Sequence, residues 1–344
     1  MQFTQIINAR LNKENDRPLM QKEAYPVSND LQHYLQHCGR DIYLPVTYSE
    51  LLHYRYSDAI KDEDGKHTHW ENVVYEEGFL KVLEPKLIET FSLLKKVKDT
   101  GFIIKAIDFC EFANSMPFRV TLIDESNTTD CFYIKSADAS RIYGLELEHL
   151  LSPNTINFLY HQNTLVEEHI EGTPGDVFLV QAEAMPADQK KLVAEAFVRF
   201  NERCFVRLLG DMRSYNFVVL SSTGQFHLRA IDFDQQTYEG KANLYLPQFY
   251  KENYGYVQMA LELLGTDLIE AIRVEERRKL SAMSKRSAGR LTDLLDVMKK
   301  EEISENYKVL LLRKELDEYF KSNDFAQAKT MGDLVIQQLR HLLS

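Results

Sequence analysis

"LLGDMRSYNFVVLSSTGQFHLRAIDFDQQ", residues 208–236, places a carboxylate at each of two edges where an apolar run meets a polar loop. Asp211 stands just after Leu208 and Leu209, and Asp232 closes the run "HLRAI". Between them "NFVVL", "SSTG" and "QFHLRAI" read as strand, turn and strand. Asn216 lies between the two acids, five positions after Asp211. Taken singly, each acid suits a turn cap. Taken together, with an amide between them and a hairpin of suitable length, they point to one shared site.

The sequence on either side supports an ordered framework. Upstream, "MPADQKKLVAEAFVRFNERCF" has Pro186 near its start and apolar residues at Leu192, Ala196, Phe197 and Phe200, the spacing of an amphipathic helix. Before it, "EGTPG" at 171–175 is the sharpest break in the chain. Further back, "NFLYHQNTLVEEHI" predicts two strands around His161-Gln162-Asn163, and residues 140–151 a short helix ended by Ser152 and Pro153. The runs "GFIIKAIDF", "FRVTLID" and "CFYIK" predict an antiparallel meander. In "YEEGFLKVLEPKLIETFSLLKKVKDTG", Phe79, Leu83, Leu87, Phe91 and Leu94 recur at helical spacing, with Pro85 expected to kink or divide the helix. "DIYLPVTY" is a strand candidate, and about four helices follow residue 250.

Bulk properties narrow the function classes. The 344 residues exceed the ~250–300 at which single cores stop growing, so two lobes are expected. A composition 44% hydrophobic and 27% charged is that of a soluble fold, and no apolar run approaches the ~20 residues of a membrane span. Forty-one basic against 52 acidic residues leave a net charge of −11, which disfavours nucleic acid as a partner. "RVEERRKLSAMSKRSAGR", 273–290, is interrupted by Glu275 and Glu276 and reads as a solvated helix face. The N-terminus lacks the apolar core of a signal peptide. Cys38, Cys110, Cys131 and Cys204 are widely spaced, which suits free, mostly buried thiols in a cytoplasm. His33 with His37, and His67 with His69, lack the companion ligands of a metal site and read as surface or packing residues.

In its order of meander, helix, strand pair, break, helix, carboxylate loop, hairpin and second carboxylate, the chain resembles the protein-kinase-like superfamily over residues 101–260. It is most similar to the bacterial small-molecule branches, the aminoglycoside-phosphotransferase-like and choline-kinase-like enzymes. "GDMRSYN" carries the Asp-x4-Asn spacing of the kinase catalytic loop, and "AIDFD" the D-F pair of its metal motif. The resemblance implies an α+β, bilobal protein-kinase-like fold: an N-terminal extension over 1–100, a β-rich small lobe with one helix over 101–170, and a mainly helical large lobe over 171–344. The catalytic loop then spans 209–216 and the metal motif 231–234.

The same resemblance assigns roles. Asp211 orients the acceptor and takes its proton, and Arg213 meets the γ-phosphate. Asn216 and Asp232 hold Mg²⁺, while Lys135 contacts the α- and β-phosphates of ATP. The ion-pair partner implied for Lys135 is Glu146, with Glu148 the rival. Asn114 and Ser115, in the loop 111–117, cover the phosphates, and backbone groups around Glu168 and Ile170 meet adenine. The chain departs from the pattern in three ways: that loop has no glycine, Leu209 and Gly210 replace the catalytic-loop histidine, and Asp234 takes the third position of D-F-G. No A-P-E sequence follows, so a small molecule or an atypically bound protein is the expected acceptor. Three activities stay open: phosphotransfer, a pseudokinase scaffold, and nucleotidyl transfer onto a protein.

Overall fold

The structure, a computed structural model, describes residues 23–62, 64–98, 101–234, 236 and 244–344. The chain forms two compact units, one from Ala24–Ile142 and Thr155–His169, the other including Tyr143–Asn154 and Ile170–Ser344. In chain order the first unit holds α1 (Asn29–His37), α2 (Tyr48–Leu51), β1 (Tyr56–Lys61), β2 (His67–Val74), α3 (Glu77–Lys95), β3 (Ile103–Phe109), β4 (Phe118–Ile123) and β5 (Thr129–Ser136). Helix α4 (Ala139–Leu151) begins in this unit and ends in the other, and β6 (Phe158–His161) and β7 (Thr164–Glu168) complete the first unit.

The seven strands make one antiparallel sheet in the order β1-β2-β3-β4-β5-β7-β6. The expected meander is β3–β5, and β6 and β7 flank a turn in which Gln162 and Asn163 have φ of 43° and 65°. A two-residue hairpin turn of this hand requires positive φ at both positions, which Asn tolerates better than most residues. The strands bury one face in a core shared with α3: Phe109, Phe118, Phe132, Ile134 and Val166 meet Leu83, Leu87, Phe91 and Leu94. Residues 24–98 therefore supply two strands and the core-forming helix of this sheet.

One local expectation is overturned and a second is narrowed. "DIYLPVTY" forms only a bridge from Asp41 to Tyr160 before turning into α2. Pro45 has no N–H to offer a ladder, while Thr47 and Glu50 form a reciprocal capping box that starts a helix. Helix α3 runs from Glu77 through Lys95 as one element with Pro85 inside. Pro85 and Lys81 are both exposed, so the carbonyl four residues before the proline, which loses its donor, lies on the solvated face.

The other unit continues with β8 (Thr173–Pro174), α5 (Gly175–Glu183), α6 (Ala187–Arg207), β9 (Phe217–Ser222), β10 (Gln225–Ala230), α7 (Tyr254–Leu263), α8 (Gly265–Arg286), α9 (Ala288–Met298), α10 (Asn306–Phe320) and α11 (Met331–Leu343). "EGTPG" supplies β8, which pairs with β9 in a small sheet ordered β10-β9-β8. The stretch 273–290 is solvated only in part: Arg278, Lys279, Lys285 and Arg286 are exposed, while other cations turn inward. Arg273 and Arg277 hold the buried Glu202 at 2.6 and 2.5 Å, Arg203 holds the buried Glu276 at 2.8 Å, and Arg290 holds the buried Glu146 at 2.7 Å. Carboxylates withdrawn from water need such partners, and Arg273, Arg277 and Arg290 answer them. Cys110 and Cys204 are buried and Cys38 and Cys131 half-buried. Among the described residues no helix is long and apolar enough to cross a membrane. The architecture is α+β, a β-rich unit and a mainly helical one, compatible with a bilobal kinase-like fold.

Candidate functional site

The catalytic-loop candidate begins where α6 stops. Leu208 takes a left-handed conformation, φ 54°, and the Leu209 N–H donates back to the Cys204 carbonyl at 2.9 Å, which ends the helix without a glycine. Asp211 is also left-handed, φ 53°, a position that costs a non-glycine residue on the order of 1 kcal/mol. Its carbonyl secures the turn by accepting from the Arg213 N–H at 2.8 Å and from Asn216 Nδ2 at 2.7 Å. A single 3₁₀ turn, Ser214–Asn216, then delivers the chain into β9.

The hairpin β9–β10 returns the chain to the same place. The Ile231 N–H donates to the Asn216 carbonyl at 3.0 Å, so Asp232 follows directly on a residue bonded to Asn216. Beyond it, Leu209 bridges Gln236, whose Nε2 donates to the Arg207 carbonyl at 2.7 Å. The loop and the Asp232 segment are thus joined at both ends. The Asp234 N–H donates to Asp232 Oδ1 at 3.0 Å and fixes the aspartate turn. Gly175 makes room for this arrangement, since a Cβ there would lie 2.3 Å from the Phe217 ring and 2.5 Å from the Ser214 carbonyl oxygen.

Charge at the loop is organised around Arg213. Its Nε donates to Asp211 Oδ1 at 2.8 Å and its Nη1 to Glu252 Oε1 at 2.9 Å, while the guanidinium lies 4.9 Å from the centre of the Tyr250 ring. The resemblance placed this arginine at the γ-phosphate; the structure places it between two carboxylates. Tyr215, half-exposed at 47%, has its hydroxyl pKa raised by burial and, against the pull of Arg213, by the negative charges of Asp211, Glu252 and Asp232. Asp211, Arg213 and Asp232 therefore act on one aromatic ring, with Asn216 tied to the same loop. Behind the loop, the Met212 carbonyl is held by Asn253 Nδ2 at 3.0 Å and by the Tyr245 hydroxyl at 2.9 Å. Tyr245 also lines an apolar cavity of about 420 Å³ with Phe197, Phe205 and Phe249.

The remaining candidates lie mainly on the seven-stranded sheet. Lys135, in β5, is buried, and its Nζ lies 2.9 Å from Glu167 Oε2 in β7. Arg141, also buried, closes on both oxygens of Glu167, through Nη2 at 2.8 Å and through Nε. Burial alone would raise the pKa of Glu167, but Arg141 and Lys135 outweigh it and bring it down to about 2. The sheet thus supplies Lys135 with Glu167, where the resemblance implied Glu146 or Glu148. Those two carboxylates, further along α4, are held by Arg290 and Arg207. Asn114 and Ser115 lie in the loop between β3 and β4, with Asn114 exposed. Glu168 accepts from the backbone N–H and the side-chain Nδ2 of Asn157 at 2.8 and 2.9 Å, and Ile170 is buried at the start of the other unit's segment.

The donor set at Asn216 and Asp232 fits magnesium. Because Asn216 Nδ2 is committed to the Asp211 carbonyl, its Oδ1 is turned the opposite way, and Asp232 is held by its own turn. Among the described residues no group of three His, Cys, Asp or Glu side chains is placed to hold a metal unaided. A magnesium ion here would complete its shell with phosphate oxygens and waters, as this ion commonly does. Sequence reasoning missed Glu252 and Glu167. Glu252 is 39 residues from its partner Arg213 and sits in no periodic pattern. Glu167 had a signal, an acid within an otherwise apolar strand, but only the register of β5 against β7 shows which cation it meets.

No family model matches this chain, and no curated protein matches it. Among solved structures it is similar to "FAT and kinase domain of CtTel1", with 11% identity over 99% of this chain and 29% of that one, at a TM-score of 0.35. "Structure of the open conformation of CtTel1" matches at 10% identity, over 99% and 15% of the two chains, with a TM-score of 0.36. The chain spans less than a third of the length of either structure, and likeness at this level carries no weight for fold or activity.

Proposed function

We propose that the chain is an ATP- and Mg²⁺-dependent phosphotransferase of the protein-kinase-like superfamily, nearest its small-molecule branches, acting on a small molecule or an atypically bound protein. One observation carries the reading: the Asp-x4-Asn loop and the Asp232 segment are joined by the Asn216–Ile231 hydrogen bond and the Leu209–Gln236 bridge. The hairpin between the two motifs brings them together as one unit. A second support is the strand order. Within the order β3-β4-β5-β7-β6, the lysine strand precedes a helix and then lies beside β7, as the resemblance would have it.

In this reading Asp211 orients the acceptor hydroxyl and takes its proton as the phosphoryl group transfers. Asn216 and Asp232 would hold magnesium, which when bound neutralises charge on the phosphates. Lys135, kept in position by Glu167, is the proposed contact for the α- and β-phosphates. Turnover of ATP by the purified chain with candidate acceptors, with products identified by mass, tests the proposal. A product heavier by phosphate, lost in Asp211→Asn, supports it. A product heavier by adenylate points instead to nucleotidyl transfer, and ATP binding without turnover to a pseudokinase.

A further inference from the structure

We infer that Glu252 is a positioning residue for Asp211, acting through Arg213, and that Arg213 serves as the link in this clamp and does not contact the γ-phosphate. This rests on the phosphotransferase reading of Asp211. Three observations lead to it. First, two of the three nitrogens of the planar Arg213 guanidinium are engaged by carboxylates: Nε by Asp211 Oδ1 at 2.8 Å and Nη1 by Glu252 Oε1 at 2.9 Å. A planar guanidinium held by two charge-assisted hydrogen bonds cannot swing toward a phosphate without breaking one of them. Second, its face lies against Tyr250, 4.9 Å from the ring centre, which restricts the remaining rotation. Third, the other oxygen of Glu252 is buried with no hydrogen-bond partner among the described residues, so the partners this carboxylate shows there are all on the Arg213 side.

The clamp has a reason to exist. Asp211 sits in a left-handed backbone conformation on a loop, and Arg213 Nε holds its Oδ1 at 2.8 Å. Tyr245, Tyr250, Glu252 and Asn253 all lie in the segment from 245 to 253, and all touch the loop: two at the Met212 carbonyl and two at Arg213. Backbone and side chain of the loop are therefore held from one direction by one short stretch of chain. A general base works only if its oxygen is within hydrogen-bond reach of the proton it accepts, and a displacement on the order of 1 Å can cost about a hundredfold in rate.

The test compares wild type with Glu252→Ala, Glu252→Gln and Arg213→Lys. Glutamine retains an oxygen that accepts from Arg213 Nη1, alanine does not, and one lysine amine cannot bridge both carboxylates. The expected result is a loss in kcat of about 10- to 100-fold for Glu252→Ala and Arg213→Lys, a loss under about threefold for Glu252→Gln, and an unchanged KM for ATP. Backbone amides of residues 211–216 should exchange faster in Glu252→Ala than in Glu252→Gln, at equal melting temperature. Equal losses in the alanine and glutamine variants overturn the clamp, as does a raised KM for ATP in Arg213→Lys with kcat intact, which would return Arg213 to the phosphates. Should Glu252→Ala fail to fold, the Arg213→Lys and Glu252→Gln pair decides the matter. If wild type does not turn over ATP, or Asp211→Asn matches it, the phosphotransferase reading fails, and amide exchange alone still decides whether Glu252 holds the loop.

Discussion

Two clusters of alternating charge, one in each unit, are built in opposite senses. In the β-rich unit, the anion Glu167 lies between two cations, Lys135 and Arg141, with every side chain under about a tenth exposed. In the helical unit, the cation Arg213 lies between two anions, Asp211 and Glu252, with 16–19% of each side chain open to solvent. The difference is instructive. A carboxylate buried between two cations is satisfied from two sides, and its loss takes away a partner that two buried charges share. Carboxylates flanking one partly solvated cation are less fully withdrawn from water, and they contribute less to stability. The first arrangement fixes its members in a buried setting, and the second leaves them partly open to solvent.

Removing Glu167 should have the largest effect and breaks the comparison if it does not. Glu167→Ala should destabilise the protein by about 3–5 kcal/mol, read as a fall in the urea midpoint, because two buried cations lose their partner. The same group sets a pH signature. With its pKa in the folded state brought down to about 2, Glu167 contributes stability that is present above its unfolded pKa, near about 4.3, and is lost as pH falls through 2. Acid unfolding of wild type should therefore steepen between about pH 4 and 2, a component missing from Glu167→Gln. Asp211→Asn should do the reverse, lowering turnover about a hundred- to ten-thousandfold with a stability change within about 0.5 kcal/mol. A large drop in melting temperature would instead class Asp211 with the scaffold.

Gly175→Ala sharpens the contrast from the backbone side. Its Cβ would press on the Phe217 ring and the Ser214 carbonyl, so a destabilisation of about 1–3 kcal/mol is expected, with weaker protection of the amides of residues 214–217. The smallest effect should come from Arg119→Lys. Arg119 donates from Nε and Nη2 to the buried Asp108 at 3.0 and 2.7 Å and stacks on Trp70. Lysine keeps the charge and loses the fork, for an expected cost of about 1 kcal/mol in chemical denaturation.

Much of this was legible before any coordinates. The helix from 187 to 207, the meander, and the turns at Gln162-Asn163 and Thr223-Gly224 follow from period and turn chemistry, because these are local properties of the chain. The return of the chain from Asn216 to Ile231, next to Asp232, was legible from the hairpin between them, since a hairpin of known length closes on itself. What escaped was non-local. Arg213 reads as a phosphate ligand until Glu252 is seen at its other end, and Lys135 reads as the partner of a helix acid until β7 is placed beside β5. The basic run at 273–290 reads as solvated because the acids that it neutralises lie far off in sequence, at 146 and 202.

The register of the large sheet lines up Asp58, Asn72, Asp108, Arg119, Tyr133, Glu167 and Phe158, one residue from each of its seven strands. The line works as an alignment mark. A slip of one position in β5 would send Tyr133 and Lys135 into the greasy side occupied by Phe132 and Ile134, and would turn those two outward in exchange. Misaligned sheets thus carry their own penalty, so strands gathered from residues 56 to 168 have one low-energy way to assemble.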